Sequence, residues 1–179
     1  MARVLLGVSG GIAAYKACEL VRLFVRGGYE VVPLLTPGAE RFVRAETFTA
    51  LARRPAAEDP YPHLTRADLL LVAPCTANTL AKLAHGLADN VLTEAALAHR
   101  GPLVVAPAMN PRMWAHPATQ ANADLLRARG AVLVGPAEGE LAEGEWGVGR
   151  MSEPEEIFRR CTDLLEGRGE LRGKRVLVS

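Results

Sequence analysis

"ADLLLVAPCTANTLAKLAHG", residues 67–86, decides the fold class of this chain. Its first half is an apolar run that predicts a buried strand, and its second half has the apolar spacing of a helix. The same order recurs in "RVLLGV" (3–8) before the helical segment 11–28, and in "GPLVVA" (101–106) and "AVLVGP" (131–136) around a helix over 117–130. Strands alternating with helices form a parallel sheet that is covered on both faces. We therefore predict a single-domain, doubly wound α/β fold, Rossmann-like or flavodoxin-like, with three layers.

The other segments complete this prediction. "YEVVPLLT" (29–36) predicts a second strand, in which Pro33 favours an edge or bulged position. Helices are predicted over 90–100 and 153–167, and a last short strand over 174–179. The stretch 137–151 is rich in glycine and glutamate and is predicted to be an irregular flap. In the first helix, five apolar residues share helical spacing: Ile12, Tyr15, Leu20, Leu23 and Phe24.

Composition limits the class of protein. The chain has 179 residues, enough for one domain, and its 49% apolar content excludes disorder. Its net charge of +1 gives no electrostatic case for binding nucleic acid or an anionic membrane. Its 3 cysteines lack disulfide or zinc spacing, which fits a reducing compartment. With no signal peptide or membrane-spanning run in the sequence, we predict a soluble, cytoplasmic protein.

Small polar residues follow the predicted strands, at the edge where α/β sheets bind ligands. Ser9, Gly10 and Gly11 lead into the first helix, whose N-terminus could hold a phosphate, although the same turn can be purely structural. The glycines do not have dinucleotide spacing, and Thr36 stands where an acidic residue would close the second strand. The pattern therefore favours a mononucleotide over NAD. Three more polar residues follow the third strand and can bind a ligand or cap a helix: Thr76, Asn78 and Thr79.

"PAMNPRMW" (107–114) is an apolar loop that carries a single amide, Asn110. Met109 and Met113 beside that amide have the composition of a small-molecule pocket, or of a surface packed on another subunit. His63 precedes a strand and, on strand geometry alone, could be a surface residue. The histidines have no metal-ligand spacing, so no metal site is predicted.

These stretches together resemble the homo-oligomeric flavin-containing cysteine decarboxylases, and among them the phosphopantothenoylcysteine decarboxylases. The resemblance rests on "GVSGGIAAYK" (7–16), "APCTANTLAKLAHGLADN" (73–90), "PAMNPRMW" (107–114) and "GELAEGEWGVGRM" (139–151). It implies an FMN-binding decarboxylase domain over 1–170. The tail 171–179 resembles the opening strand of the ligase domain that follows in bifunctional relatives, which suggests the start of a truncated domain.

The resemblance also implies the cofactor, the assembly and the site. FMN would contact Ser9, Gly10, Gly11, Thr36, Thr76, Asn78, Thr79, Ala106 and Met109. Asn110 would hold the substrate carboxylate, Met113 and Arg150 would contact the substrate, and His63 would be the acid/base residue. The flavin would lie near a subunit contact in a trimer or a dodecamer. The implied reaction is FMN-dependent conversion of 4'-phosphopantothenoylcysteine to 4'-phosphopantetheine in coenzyme A biosynthesis.

Two positions depart from the family pattern. The family usually has "LACGE" in the flap, with cysteine as the final proton donor, whereas this chain has "LAEGE", in which Glu143 would take the place of the cysteine as proton donor. The spacing from His63 to the next strand is about three residues shorter than the family pattern. The alternatives are a peptidyl-cysteine decarboxylase, which the missing cysteine favours, a flavin prenyltransferase and a non-catalytic FMN-binding regulatory subunit. An NAD-dependent enzyme is the least favoured.

Overall fold

A computed structural model of the chain describes residues 1–171. The strands are β1 (Arg3–Val8), β2 (Glu30–Leu35), β3 (Leu69–Cys75), β4 (Leu103–Pro107), β5 (Val132–Leu133), β6 (Ala137–Glu140) and β7 (Trp146–Arg150). The helices are α1 (Ala14–Arg26), α2 (Ala45–Ala52), α3 (Tyr61–Leu64), α4 (Ala77–His85), α5 (Val91–Ala98), α6 (Pro111–Ala115), α7 (Pro117–Ala128) and α8 (Pro154–Leu171). The predicted strand over 174–179, and the suggested further domain beyond Leu171, lie outside the described residues.

Strands β1 to β5 form one parallel sheet in the order β2-β1-β3-β4-β5. This is the flavodoxin-like order, so the predicted fold class is confirmed. Strand β2 lies at the edge of the sheet, as Pro33 predicts, and the Pro33 carbonyl accepts a hydrogen bond from the Ala57 N–H at 2.9 Å. No helix within residues 1–171 is long and apolar enough to cross a membrane.

The sheet is the middle of three layers. Along β1, Val4 and Leu6 face a core that contains residues of α1, α2 and α8, whereas Leu5 faces a core formed with α4, α5 and α7. Strand β3 is buried along its whole length. Burial of each large aliphatic side chain stabilises the fold by about 1.5–3 kcal/mol relative to exposure. The continuous apolar runs of β1 and β3 therefore define the centre of the sheet.

The first helix differs from the predicted apolar face. Helix α1 begins at Ala14, so Ile12 precedes it, and both Ile12 and Tyr15 are 60% exposed. Tyr15 and Phe24 are nine positions apart, which places them on opposite sides of a helix with 3.6 residues per turn. The face of α1 that packs on the sheet contains Ala17 and Leu20 beside Phe24.

The flap predicted over 137–151 is a regular element. Strands β6 and β7 form an antiparallel two-stranded hairpin, separate from the main sheet. The hairpin packs on the segment after β4, where the Met109 N–H donates to the Gly149 carbonyl at 2.9 Å. The two strands are short and contain glycines (AEGE and WGVGR), so the sequence lacks the alternation of apolar and polar residues that predicts a strand. The hairpin is therefore stabilised by its contact with the segment after β4.

Candidate functional site

A cavity of about 990 Å³ opens at the carboxyl edge of the sheet. Its volume is at the upper end of the range of about 300–1,000 Å³ that is usual for small-molecule sites. The segments that line it include residues 10–13 after β1, 36–38 after β2, 76–79 after β3, 108–110 after β4, and 140–143 and 149–151 of the hairpin and its end. The loops after four neighbouring strands therefore converge on one site, as parallel strands require.

The turn after β1 exposes main-chain atoms without side chains to this cavity. Gly10 and Gly11 line it, and α1 then begins without a side-chain cap or an acidic residue in its first turn. A Cβ atom built on Gly10 would lie 2.6 Å from the carbonyl carbon of Gly38, so the turns after β1 and β2 are in direct backbone contact. An uncapped helix N-terminus behind a glycine turn is suited to an anionic group such as a phosphate.

Ser9 does not line the cavity, although it belongs to the same motif. Its hydroxyl is buried, donates to the Pro74 carbonyl at 2.6 Å and accepts from the Thr76 N–H at 3.0 Å. Ser9 therefore joins the ends of β1 and β3. Ala106 is likewise fully buried within β4 and outside the cavity, because its side chain packs in the core with those of α1 and α8.

The polar residues after β3 both cap a helix and line the cavity. Thr76 is the N-cap of α4, and its hydroxyl accepts the Thr79 N–H at 3.2 Å. The capping interpretation is therefore correct for Thr76, while Thr76, Asn78 and Thr79 all face the cavity. Thr36 lines the cavity as well, and its hydroxyl accepts the Ala39 N–H at 3.2 Å.

The loop 107–114 contains a short helix that the sequence prediction missed. Asn110 is the N-cap of α6, and its side-chain oxygen accepts the Arg112 N–H at 2.8 Å. The Asn-Pro pair is the available signal, because proline favours the first position of a helix. Met109 and Trp114 pack partly against the core, and Met109 also lines the cavity. Met113 lines the cavity as well and is 49% exposed.

The hairpin brings charged residues to the cavity. Glu143 and Arg150 line it, and the Arg150 guanidinium contacts the Glu153 carboxylate at 3.2 Å. The buried Lys16 also lines the cavity, with its Nζ atom 3.5 Å from the same carboxylate. The sequence prediction missed Lys16, although it lies in the first turn of the helix that follows the glycine motif.

Helix α4 brings a further cation to the cavity. Lys82 lines the cavity and donates to Asp89 at 2.7 Å, which lowers the pKa of that carboxyl.

His63 lies away from the cavity. It belongs to α3, and its Nδ1 atom is 3.4 Å from an Arg3 guanidinium nitrogen at the start of β1, whereas the cavity is at the end of that strand. Burial lowers the pKa of His63, as do the nearby charges of Arg3 and Arg54. Neutral imidazole is therefore favoured there. Within one protomer, the structure does not bring His63 to the other predicted site residues.

The cysteines also lie outside the cavity. Cys18, Cys75 and Cys161 are free thiols, and none of the three lines it. Burial raises the pKa of the Cys75 thiol, although Cys75 ends the strand that leads to the cavity. Glu143 therefore lines a cavity that has no cysteine in its wall within residues 1–171. Residues 1–171 contain no group of three or more His, Cys, Asp or Glu side chains that could hold a metal.

Comparison with known proteins places the chain in a family. Residues 1–166 match the Flavoprotein family. The coenzyme A biosynthesis bifunctional protein CoaBC of Mycobacterium tuberculosis is 45% identical over 190 residues, which cover 99% of this chain and 46% of that protein. This chain therefore spans about half the length of the curated relatives that it matches.

Two solved structures share the fold. A mutant phosphopantothenoylcysteine (PPC) decarboxylase complexed with pantothenoylaminoethenethiol matches with a TM-score of 0.85 and 33% identity, over 92% of this chain and 98% of that one. The FMN-dependent cysteine decarboxylase SpaF matches with a TM-score of 0.80 and 31% identity, over 94% and 98%. The family predicted from the four sequence motifs is confirmed: this chain belongs to the flavoprotein family.

Proposed function

We propose that this chain binds FMN and catalyses decarboxylation of 4'-phosphopantothenoylcysteine to 4'-phosphopantetheine, a carbon–carbon lyase reaction of coenzyme A biosynthesis. The observation that carries the proposal is one cavity lined by the glycine turn, the 107–114 loop and the hairpin. In this proposal the glycine turn provides a site for a phosphate, the 107–114 loop provides an apolar wall with an amide, and the hairpin covers the site. The names of the relatives agree with this assignment.

The residues of the cavity fit FMN. Gly10 and Gly11 leave room for a phosphate at the N-terminus of α1, and Thr36 with residues 76–79 supplies hydroxyl and amide groups beside it. Met109 provides an apolar surface for the ring. Ser9 acts indirectly in this proposal, because its hydrogen bonds join the ends of β1 and β3, and Ala106 acts indirectly through its packing in the core behind β4. When bound, FMN would accept electrons from the substrate and return them, which makes loss of CO₂ possible.

The remaining residues act on the substrate. Asn110 lies at the N-terminus of α6, where its amide can orient a carboxylate, and Met113 and Arg150 line the same cavity. Glu143 is proposed as the proton donor that completes the saturated thiol. The hairpin excludes water from the reacting atoms when it covers them.

His63 is proposed to act from a neighbouring subunit. In its own protomer it lies at the opposite edge of the sheet from the cavity, so it can reach a substrate only where another copy brings it there. Ile12, Tyr15 and Met113 are exposed apolar residues at the cavity wall, which suits them to a subunit contact. A trimer, alone or within a dodecamer, would complete the site. The cytoplasmic location stays a prediction.

The test of this proposal is turnover by the purified, FMN-supplemented protein. We expect bound flavin by visible absorption, and release of CO₂ and 4'-phosphopantetheine from 4'-phosphopantothenoylcysteine. A His63→Asn variant should keep FMN and lose turnover, because His63 is remote from the proposed phosphate site. Mixing it with the Asn110→Ala variant should restore part of the activity only if the two residues act across a subunit contact. Bound flavin without product from this substrate would refute the assignment.

A related reaction is the second candidate. Glu143 at the family's cysteine position favours an enzyme that stops at the enethiol, as a peptidyl-cysteine decarboxylase does. Mass spectrometry of the product separates the candidates, because the enethiol has two hydrogens fewer than the saturated thiol. A flavin prenyltransferase or a regulatory FMN-binding subunit would release no CO₂ from either cysteine substrate.

A further inference from the structure

The hairpin carries a carboxylate that already occupies the amide of Asn110. The Asn110 Nδ2 atom donates to Glu145 Oε2 at 2.9 Å, and the other Glu145 oxygen lies 3.9 Å from the Arg112 Nε atom. Glu145 is part of the turn between β6 and β7. A carboxylate of the protein is thus bound where the proposed function places the carboxylate of the substrate.

The amide of Asn110 is fixed in orientation. Its oxygen accepts the Arg112 N–H at 2.8 Å, so its nitrogen is the end that remains for binding an acceptor. Hydrogen bonds that join an amide to an ionised carboxylate are stronger than neutral ones. The Arg112 side chain is 89% exposed, so its ion pair with Glu145 is screened by solvent. The hydrogen bond from Asn110 is therefore the principal contact that holds the Glu145 carboxylate.

Backbone contacts fix the position of Glu145. The Leu141 N–H donates to the Glu145 carbonyl at 2.8 Å, and the Gly144 N–H donates to the Leu141 carbonyl at 2.8 Å, which closes a tight turn. A Cβ atom built on Gly147 would lie 2.7 Å from the Pro111 ring, so the hairpin is in close contact with α6. The hairpin therefore holds the carboxylate beside Asn110 and covers the 107–114 loop in the same conformation.

We propose that Glu145 is a specificity-determining residue, whose carboxylate holds the Asn110 amide until the carboxylate of a substrate displaces it. This inference rests on the proposed function, in which Asn110 binds the carboxylate that is lost. Two carboxylates beside one amide repel each other, so only one of them binds at a time. A ligand without a free carboxylate cannot replace the charge-assisted hydrogen bond. The product has lost its carboxylate as CO₂, so Glu145 returns to Asn110 and favours product release.

The experiment measures binding rather than turnover. The FMN-loaded protein is titrated calorimetrically with N-acetyl-L-cysteine, which has a free carboxylate, and with N-acetyl-L-cysteinamide, which has none. In the Glu145→Gln variant we expect about tenfold tighter binding of the carboxylate, because displacement no longer breaks a hydrogen bond to a charged group. Binding of the amide should be unchanged. Glu145→Ala should show the same gain, since the side chain is half-exposed and the substitution leaves no buried cavity.

Two control variants isolate the effect. Glu138→Gln also removes one negative charge from the hairpin, but the Glu138 carboxylate accepts a hydrogen bond from the Trp146 indole and does not contact Asn110. This variant should therefore bind both ligands as tightly as the unaltered protein does. The double variant Asn110→Ala/Glu145→Gln should lose the gain, because the amide for which the carboxylates compete is gone. Unchanged or weaker carboxylate binding in Glu145→Gln and Glu145→Ala, or an equal gain in Glu138→Gln, would overturn the inference.

Turnover of 4'-phosphopantothenoylcysteine by the unaltered protein is measured separately. If the unaltered protein converts the substrate but Glu145→Gln binds the carboxylate no more tightly, the role of Glu145 is refuted and the proposed function stands. If Glu145→Gln binds the carboxylate more tightly but the unaltered protein does not convert the substrate, the assignment of the substrate is refuted. Competition between carboxylates at Asn110 then still stands.

Discussion

Gly10 and Gly11 are adjacent glycines for which the structure predicts opposite effects of one added methyl group. A Cβ atom on Gly10 would lie 2.6 Å from the Gly38 carbonyl carbon, whereas a Cβ atom on Gly11 would meet only the Thr76 methyl group at 3.7 Å. Carbon atoms pack best at about 3.5–4.0 Å. Gly10→Ala therefore requires the backbone after β2 to move by about 1 Å, while Gly11→Ala requires no movement.

The magnitude follows from the cost of overpacking. Forcing a methyl group into close-packed surroundings costs about 1–3 kcal/mol, and the obstacle at Gly10 is backbone rather than a flexible side chain. For a domain of this size, Gly10→Ala should lower the midpoint of thermal unfolding by about 2–12 °C. Gly11→Ala should change the free energy of unfolding by less than about 0.5 kcal/mol.

The assay is thermal and urea unfolding of both variants without FMN, followed by flavin titration of Gly10→Ala. Because Gly10 and Gly38 both line the cavity, restoring the binding conformation against about 1.4 kcal/mol of strain would weaken FMN binding about tenfold. Equal stability of the two variants would refute the close backbone contact. Unchanged FMN affinity in a destabilised Gly10→Ala variant would refute the placement of the cofactor at this turn.

Three further predictions concern single residues. Asn110→Ala should keep FMN, seen in its visible absorption, and lower decarboxylation about 10- to 100-fold, because a hydrogen bond to a charged group is lost. Glu143→Ala should still release CO₂ but yield the enethiol, which mass spectrometry detects; saturated product at the normal rate would exclude Glu143 as proton donor. Burial, Arg3 and Arg54 hold the pKa of His63 below its ordinary 6.5, so the unfolded chain binds more protons and stability should fall as the pH drops below 6.5. In His63→Gln, urea unfolding should show a smaller loss over that range, and an unchanged slope would contradict the assignment.

The sheet was predictable because its strands are buried on both faces. The apolar runs of β1 and β3 leave no other interpretation, and the position of Pro33 correctly indicates an edge strand. The order of the strands could not be derived from these runs, because every buried strand has the same composition. Helix α6 and the hairpin were missed, since their positions depend on contacts with each other rather than on local periodicity.

The site was predictable where it is made of backbone and of residues that directly follow a strand. Gly10, Thr36 and Asn78 face one cavity because parallel strands end at one edge. The side-chain direction of Ser9 could not be derived, because its hydroxyl bonds to strand β3 rather than to the cavity. The location of His63 depends on the packing of α3 near the start of β1. Glu145 was missed since only the folded hairpin brings it to Asn110.

The two margins of the main sheet limit how another strand could pair with it. At β2, Pro33 has no N–H to offer, and its carbonyl is already bonded to Ala57. At the other margin β5 contributes only two residues. Within residues 1–171, neither margin offers a long row of free backbone groups onto which a foreign strand could add. Both features disfavour the addition of a foreign strand, and they therefore disfavour growth into fibres by extension of the sheet.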